Sequence, residues 1–271
     1  LAVQIMDKWD MKSVTLVIFL AAGLSACNNL PEKRAVTTEN QTDSAPSENT
    51  PRSLTWQVPA SWQLAEGVAG STWQHFTFPG KTPTNYKIAH EDGRDAIWAS
   101  SQSTSSAIRS DINIDAKQIG KLKFSWKVPA HLLDADVTVP ELDDSPVRVF
   151  LTFEGDRSKF SAKNALVSEM ANLLLGEPLP YATLVYLWSK QQPLGSVILG
   201  QRTDRVRNIV IETGSVNLNK WMDYERDIGV DFEKAFGEKP GKLLRIALMT
   251  DSDNTKSQTT AWYGAPSFIV K

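Results

Sequence analysis

The chain has 271 residues and a mass of 30.0 kDa, with 29 basic and 31 acidic side chains for a formal net charge of −2. Balanced charge without a basic stripe of interleaved aromatics excludes a nucleic-acid-binding face. A single cysteine, Cys27, excludes an intrachain disulfide and any cysteine-based metal centre.

Residues 1–10 read as an upstream extension, because Asp7 and Asp10 are acidic where a signal peptide is basic. From Met11 the pattern is that of a lipoprotein signal over residues 11–27. Lys12 supplies the positive start, and Val14 to Ala22 form an apolar run shorter than the roughly 20 residues a bilayer span needs. Leu24-Ser25-Ala26 leads to Cys27, the expected lipid acceptor. Asn28 rather than Asp follows it, which favours sorting to the bacterial outer membrane, facing the periplasm. Residues 28–53 are rich in Asn, Thr, Ser, Glu and Pro, too polar to offset their ordering entropy, and read as a disordered tether. Residues 54–271 form the folded domain. Hydrophobic residues make up 41% of the chain, enough for a core, and most of its nine Trp are expected inside it.

Within that domain the period is two. In Lys121 to Val128, Leu122, Phe124, Trp126 and Val128 share one face, with Lys121, Lys123, Ser125 and Lys127 on the other. Val147, Val149, Leu151 and Phe153 repeat the alternation. Tyr86, Ile88 and His90 run into Asp92-Gly93, a hairpin signal, and Ile97-Trp98-Ala99 follows. Further strands are expected over Ser105 to Ile112, Tyr181 to Trp188, Val206 to Thr213, Trp221 to Ile228, Leu243 to Met249 and Thr260 to Val270. Apolar residues on both faces mark Tyr181 to Trp188 as a buried central strand. Ser158 to Leu175 has near-helical spacing, with Gly176 and Pro178 as a stop, and Asp231 to Phe236 reads as a short second helix. The order implies a mainly β fold: an antiparallel, jelly-roll-like β-sandwich with one inserted helix and a short second one.

The most pointed polar cluster is Asp251-Ser252-Asp253-Asn254-Thr255. It reads either as a turn whose side chains bond their own backbone, or as oxygen ligands for calcium through Asp251 and Asp253, or as a ligand contact. An EF-hand loop is excluded, since Lys256 stands where its Gly would be and Trp262 where its Glu would be. Calcium is the sole cofactor suggested. Asp144 and Arg148 open a strand and form a second candidate, against a plain ion pair. Trp188 is a candidate stacking surface, although core packing competes. Arg226 and Asp231 add charge nearby in sequence. His75, His90 and His131 lack metal-ligand spacing, and no nucleotide or nucleophile-elbow fingerprint occurs.

The order of these blocks resembles the bacterial family known as domain of unknown function 3047. The resemblance rests on Leu122 to Val128; Asp143-Asp144 with Arg148 to Phe153; and Tyr186 to Ser189. It continues through Trp221, Glu225-Arg226-Asp227, Asp231-Phe232 and Phe236-Gly237. It closes on Ile246 to Thr255 with Trp262-Tyr263-Gly264, where Tyr263 joins the ligand-facing candidates. The family implies no activity, and Ser158 to Gly176 looks longer than expected for it. The expectation is therefore an envelope lipoprotein that binds a carbohydrate or glycan. The alternatives are a glycan hydrolase using Asp or Glu, and an assembly lipoprotein contacting envelope proteins.

Overall fold

The computed structural model describes residues 53–62 and 72–271. The extension, the signal with Cys27 and the tether up to residue 52 lie outside the described residues.

Among the described residues, fourteen strands and two α-helices follow in order: β1 (Ser53–Thr55), β2 (Trp73–Thr77), β3 (Asn85–Glu91), β4 (Arg94–Gln102), β5 (Ser106–Ile114), β6 (Lys121–Lys127), β7 (Ser145–Phe153), α1 (Ala162–Leu175), β8 (Ala182–Ser189), β9 (Val197–Leu199), β10 (Val206–Thr213), β11 (Trp221–Asp227), α2 (Ile228–Phe236), β12 (Leu243–Asp251), β13 (Gln258–Gly264) and β14 (Ser267–Ile269). The larger sheet has the order β1-β2-β5-β12-β7-β8-β10-β9. The smaller has β11-β6-β13-β4-β3, with β14 also paired to β6. The fold is a β-sandwich.

Alternation builds the core. Ile97, Leu122, Phe124, Trp126 and Ala261 from the smaller sheet meet Ile108, Val149, Leu151, Tyr186 and Leu248 from the larger. Phe124 stacks on Tyr186 with ring centroids 5.6 Å apart, joining the two layers. Every residue of β8 is buried, as its two apolar faces imply. Its core face carries Tyr186 and Trp188, and behind it Leu187 packs with Val137 and Val210.

The β3–β4 turn bears out the Asp-Gly signal. Asp92 has φ 49° and Gly93 φ 78°, the paired positive angles of a turn whose twist matches the strands. One pairing departs from the antiparallel expectation, since β10 lies parallel to β8. A parallel neighbour needs a return segment. Residues 190–205 supply it, with β9 running back antiparallel on the far side of β10.

Two boundaries differ from the pattern. The strand at Trp221 stops at Asp227, whose carboxylate accepts the Val230 N–H at 3.0 Å and starts α2 one residue later. The expected final strand divides at Ala265-Pro266 into β13 and β14, because proline cannot donate to a ladder. The inserted helix begins at Ala162, capped by Ser161, and ends at Gly176 with φ 72°.

Candidate functional site

Two polar assemblies meet at the connection between β12 and β13, which carries the chain from the larger sheet to the smaller. The first is buried. Antiparallel pairing of β12 with β7 sets Asp251 opposite Ser145 and Met249 opposite Arg148. This brings Asp143, Asp144 and Arg148 onto Asp251 and Asp253, about a hundred residues away in sequence. Arg148 donates to Asp143 Oδ1 at 2.7 Å and lies 3.3 Å from Asp251 Oδ1. Lys81 pairs with Asp253. Asp144 accepts the Asn254 N–H at 3.2 Å, and its other oxygen takes the Thr255 N–H and hydroxyl at 2.7 and 2.6 Å. Asn254 Nδ2 donates to the Pro140 carbonyl at 2.7 Å.

Burial pushes the Asp251 carboxyl up to about 7; Arg148 opposes this, and Asp144, Asp143 and Asp253 reinforce it. Burial alone would lower the Arg148 pKa, but Asp251 and Asp143 hold it above the usual value. One oxygen from each of Asp144, Asp251 and Asp253 lies within 4.8 Å of the others, a donor set suited to a hard divalent cation. In the geometry present, the cluster's evident work is to clamp the 252–257 connection.

The second assembly lies on the outward face of the smaller sheet. Strand register places Trp98 of β4 directly opposite Trp262 of β13. Lys87 of β3 flanks Trp98, and Lys127 of β6 flanks Trp262. Both lysines sit over the neighbouring indole, at 5.6 and 5.4 Å from the ring centroid. Both indoles are half-buried. Next along the strands, Ser100 opposes Thr260, and beyond them Gln102 opposes Gln258. Those two glutamines then enter the lining of a recess of about 490 Å³, with Ser103, His131, Leu133, Lys256 and Ser257. The Trp floor, the hydroxyl pair and the amide pair are thus one continuous surface, within the size range of small-ligand sites at the recess end.

The clamp and the face are coupled. Asp144 holds Asn254 and Thr255, while Ser257 O accepts the Ser103 N–H at 2.8 Å across the rim of the recess. Ser252 Oγ bonds Ser101 Oγ at 2.7 Å. At the opposite end the β3–β4 tip folds over the sheet. Arg94 takes Asp223 in two bonds of 2.6 and 3.1 Å and covers the Trp221 ring, while Lys127 pairs with Glu91 and Asp92. Gly264 makes this closure sterically feasible, since a Cβ there would sit 2.1 Å from Ser125 Oγ and 3.6 Å from Trp221.

The residues singled out from sequence fall into three groups. Asp144, Arg148, Asp251 and Asp253 converge with Asn254, but the four charged residues are buried and not on an open groove. Trp188 and Tyr263 are core side chains: the indole donates to Gly214 O at 3.0 Å, and the phenol to Met249 O at 2.6 Å. His131 edges the Trp188 ring at 5.8 Å, and Asp144 and Trp188 share the wall of a small pocket beneath it. Arg226 and Asp231 form a separate bidentate pair of 2.8 and 2.5 Å, joined by the Tyr186 hydroxyl at 2.8 Å. That triad pins α2 to the sheet.

Sequence reasoning passed over Trp98, Trp262, Gln102 and Gln258. A signal existed. Ile97 and Ala99 claim the core parity of β4, as Ala261 and Tyr263 do in β13, so each Trp shares the parity of hydroxyl and amide residues.

The family described as Protein of unknown function (DUF3047) matches residues 71–266, and the chain belongs to that family. No curated protein matches the chain. Among solved structures it is similar to the family 11 carbohydrate-binding module of cellulosomal cellulase Lic26A-Cel5E of Clostridium thermocellum. That likeness has a TM-score of 0.37 and 9% identity, over 80% of this chain and 97% of that one. It is also similar to the xyloglucanase domain of NopAA, a type three effector from Sinorhizobium fredii, in complex with cellobiose. There the TM-score is 0.40 and the identity 10%, over 76% of this chain and 100% of that one. Likeness at this level does not extend to function. Among the described residues, no helix is long and apolar enough to cross a membrane.

Proposed function

We propose that this member of the DUF3047 family is a glycan-binding module, and that its binding face is the outward surface of the smaller sheet. The observation that carries the proposal is the Trp98–Trp262 pair, which leads through Ser100 and Thr260 to the Gln102–Gln258 pair and the recess. A pyranose presents an apolar C–H face and an equatorial rim of hydroxyls. An indole floor suits the first, and amides and hydroxyls in line with it suit the second. The strands hold both at fixed spacing, so little ordering cost falls on binding. Hydrolysis is the weaker reading. It needs two carboxyl groups about the scissile bond, whereas the recess has one carboxylate, Asp134, among its lining residues.

The test is a glycan array and an envelope-glycan pull-down with the full chain carrying Cys27→Ser. Trp98→Ala with Trp262→Ala should lower glycan affinity at least ~30-fold, as expected for removing two aromatic anchors. The melting temperature should stay near that of the parent, because neither indole belongs to the core. A parent that retains no glycan, or a double variant that retains it equally, would sink the proposal.

The setting proposed for this binding is the periplasmic face of the outer membrane, with Cys27 as the lipid anchor. The support is the sequence of residues 11–27. Cys27→Ser should move the protein from the membrane fraction to the soluble fraction; continued lipid labelling of that variant would refute the anchor. A calcium ion at Asp144, Asp251 and Asp253 is the second proposal for the buried cluster. It is favoured by the three mutually close oxygens and by four aspartates facing two cationic partners.

A further inference from the structure

The rim of the recess is tightly held. Its lining comes from the β4–β5 turn, the segment after β6 and the β12–β13 connection. Two residues of that lining, Ser103 and Lys256, have left-handed backbone with φ 54° and 53°, a conformation uncommon outside glycine. The Ser103 N–H is shared between Ser257 O at 2.8 Å and Ser252 Oγ at 3.0 Å, so the two bends are locked against each other. Backbone held in this way clusters at ligand clamps. In the segment after β6, Leu132 is buried and anchors the wall, while its neighbour Leu133 is 76% exposed. Lys190 Nζ donates to the Leu133 carbonyl at 2.7 Å, and the His131 Nε2–H donates to the Gly214 carbonyl at 2.7 Å. Both bonds fix the backbone that presents Leu133 to the recess.

We propose that the recess selects an N-acetylated amino sugar, with its acetamido group on Leu133 and the Gln102–Gln258 pair. This rests on the glycan-binding reading of the same face and names the sugar class it takes. Two features of the lining carry it. Gln102 and Gln258 are exposed, and their side-chain amides have no partner among the described residues. A side-chain amide offers two N–H donors and a carbonyl acceptor, so the pair can answer both the C=O and the N–H of an acetamido group. Leu133 supplies the apolar contact. A plain hexose turns hydroxyls to its rim and leaves this leucine nothing to bury, whereas an acetamido methyl gives it matching surface. Charge does not redirect the site. Lys256 and Asp134 both line the recess and are exposed, one of each sign. Close by, Lys190 is engaged with the Leu133 carbonyl, and Asp136 with Thr138 and Gln191. The recess therefore has no surplus of charge that would favour a uronate or a free amino sugar over a neutral one.

The test is calorimetric titration of the full chain carrying Cys27→Ser with three tetrasaccharides of the same β linkage, built from N-acetylglucosamine, glucosamine and glucose. The N-acetylated tetramer should bind at least ~10-fold more tightly than either of the others, the scale of one buried methyl with a paired amide. Leu133→Asn should remove most of that preference. Its affinity for the glucose tetramer and its melting temperature should match the parent's, since the side chain is exposed. Gln102→Ala with Gln258→Ala should weaken the N-acetylated tetramer more than the glucose tetramer. Equal affinity for those two sugars, tightest binding of the glucosamine tetramer, or a preference that Leu133→Asn leaves intact would overturn the proposal and leave the glycan-binding face standing. A parent that binds none of the three also overturns it. The glycan array then decides the broader reading: retention that depends on Trp98 and Trp262 keeps the face, and no retention sinks both.

Discussion

The buried Asp cluster and the Trp98–Trp262 face sit at two ends of the same stretch of chain, yet they use their polar groups in opposite ways. Around Asp251 nearly every group is answered from within the protein. Asp144 takes three donors from the connection, and Asp143, Asp251 and Arg148 neutralise one another. On the outward face, Trp98, Trp262, Gln102 and Gln258 contribute nothing to the core and sit where a ligand can reach them. A dense cluster of charge is thus a sign of internal obligation, and a large aromatic on the polar parity of a strand is the better sign of an external one.

Three perturbations sharpen that contrast, beyond loss of binding in the Trp pair variant. The largest is Asp144→Ala. It strips the partners from the Asn254 and Thr255 backbone and leaves part of the clamp unpaired, at a cost of about 3 kcal/mol. For a domain of this size that is a fall in melting temperature of roughly 6–12 °C. Because the clamp shapes the recess rim, glycan affinity should fall too. If stability fell while glycan affinity held, the two regions would be independent and the coupling described above would be wrong.

Chelation comes next. If calcium completes the cluster, a chelator should lower the melting temperature of wild type, and calcium at a hundredfold excess over its Kd should restore about 2.7 kcal/mol. Asp253→Asn should abolish the response. An identical melting curve with and without chelator would remove metal from the account.

The smallest effect concerns pH. The folded-state pKa of Asp251 is raised to about 7, above the unfolded value near 3.9. Between those values the native state binds the proton and the unfolded state does not. The contribution of this group to stability therefore falls as pH rises from about 4 to about 7, by at most ~1.4 kcal/mol per pH unit. Asp251→Asn removes that dependence. Relative to wild type it should gain stability between pH 4.5 and pH 8, measured by urea denaturation at both. A gap between the two proteins that stays constant with pH would show that Asp251 remains ionised in the fold.

Much of the fold was legible because period two is a local property. Lys121 to Val128, Val147 to Phe153 and the Asp92-Gly93 turn carry their conformations in adjacent residues. The parallel pairing of β8 with β10 was not legible, since it depends on where β9 returns and no residue in either strand encodes it. The ends of β11 and β13 were blurred because Ile228 and Phe268 continue the apolar pattern after capping or proline chemistry has ended the strand.

The candidate site divides the same way. The meeting of Asp144 with Asp251 and Asp253 follows from β7–β12 register, yet the residues themselves stood out by type. Their burial did not, because charge in sequence carries no sign of the partners that will cover it. The Trp face was hidden for a further reason. Trp98 and Trp262 are 164 positions apart, and β13 pairs with β4 only through closure of the smaller sheet. Composition pointed to Trp as core, and Trp62, Trp73, Trp126 and Trp188 obey. Trp98 and Trp262 depart from it by the parity of one residue.

Among the described residues, the outermost strands of the larger sheet are β1 and β9, each three residues long. The smaller sheet is bordered by β3, with Lys87 and Glu91, and by β11, with Asp223, Glu225 and Asp227. Brevity blunts one pair of borders and charge the other, so neither sheet offers a neighbour a long template for pairing. Edge-to-edge pairing between crowded copies is therefore disfavoured, and it is not what would cover the outward Trp98–Trp262 face.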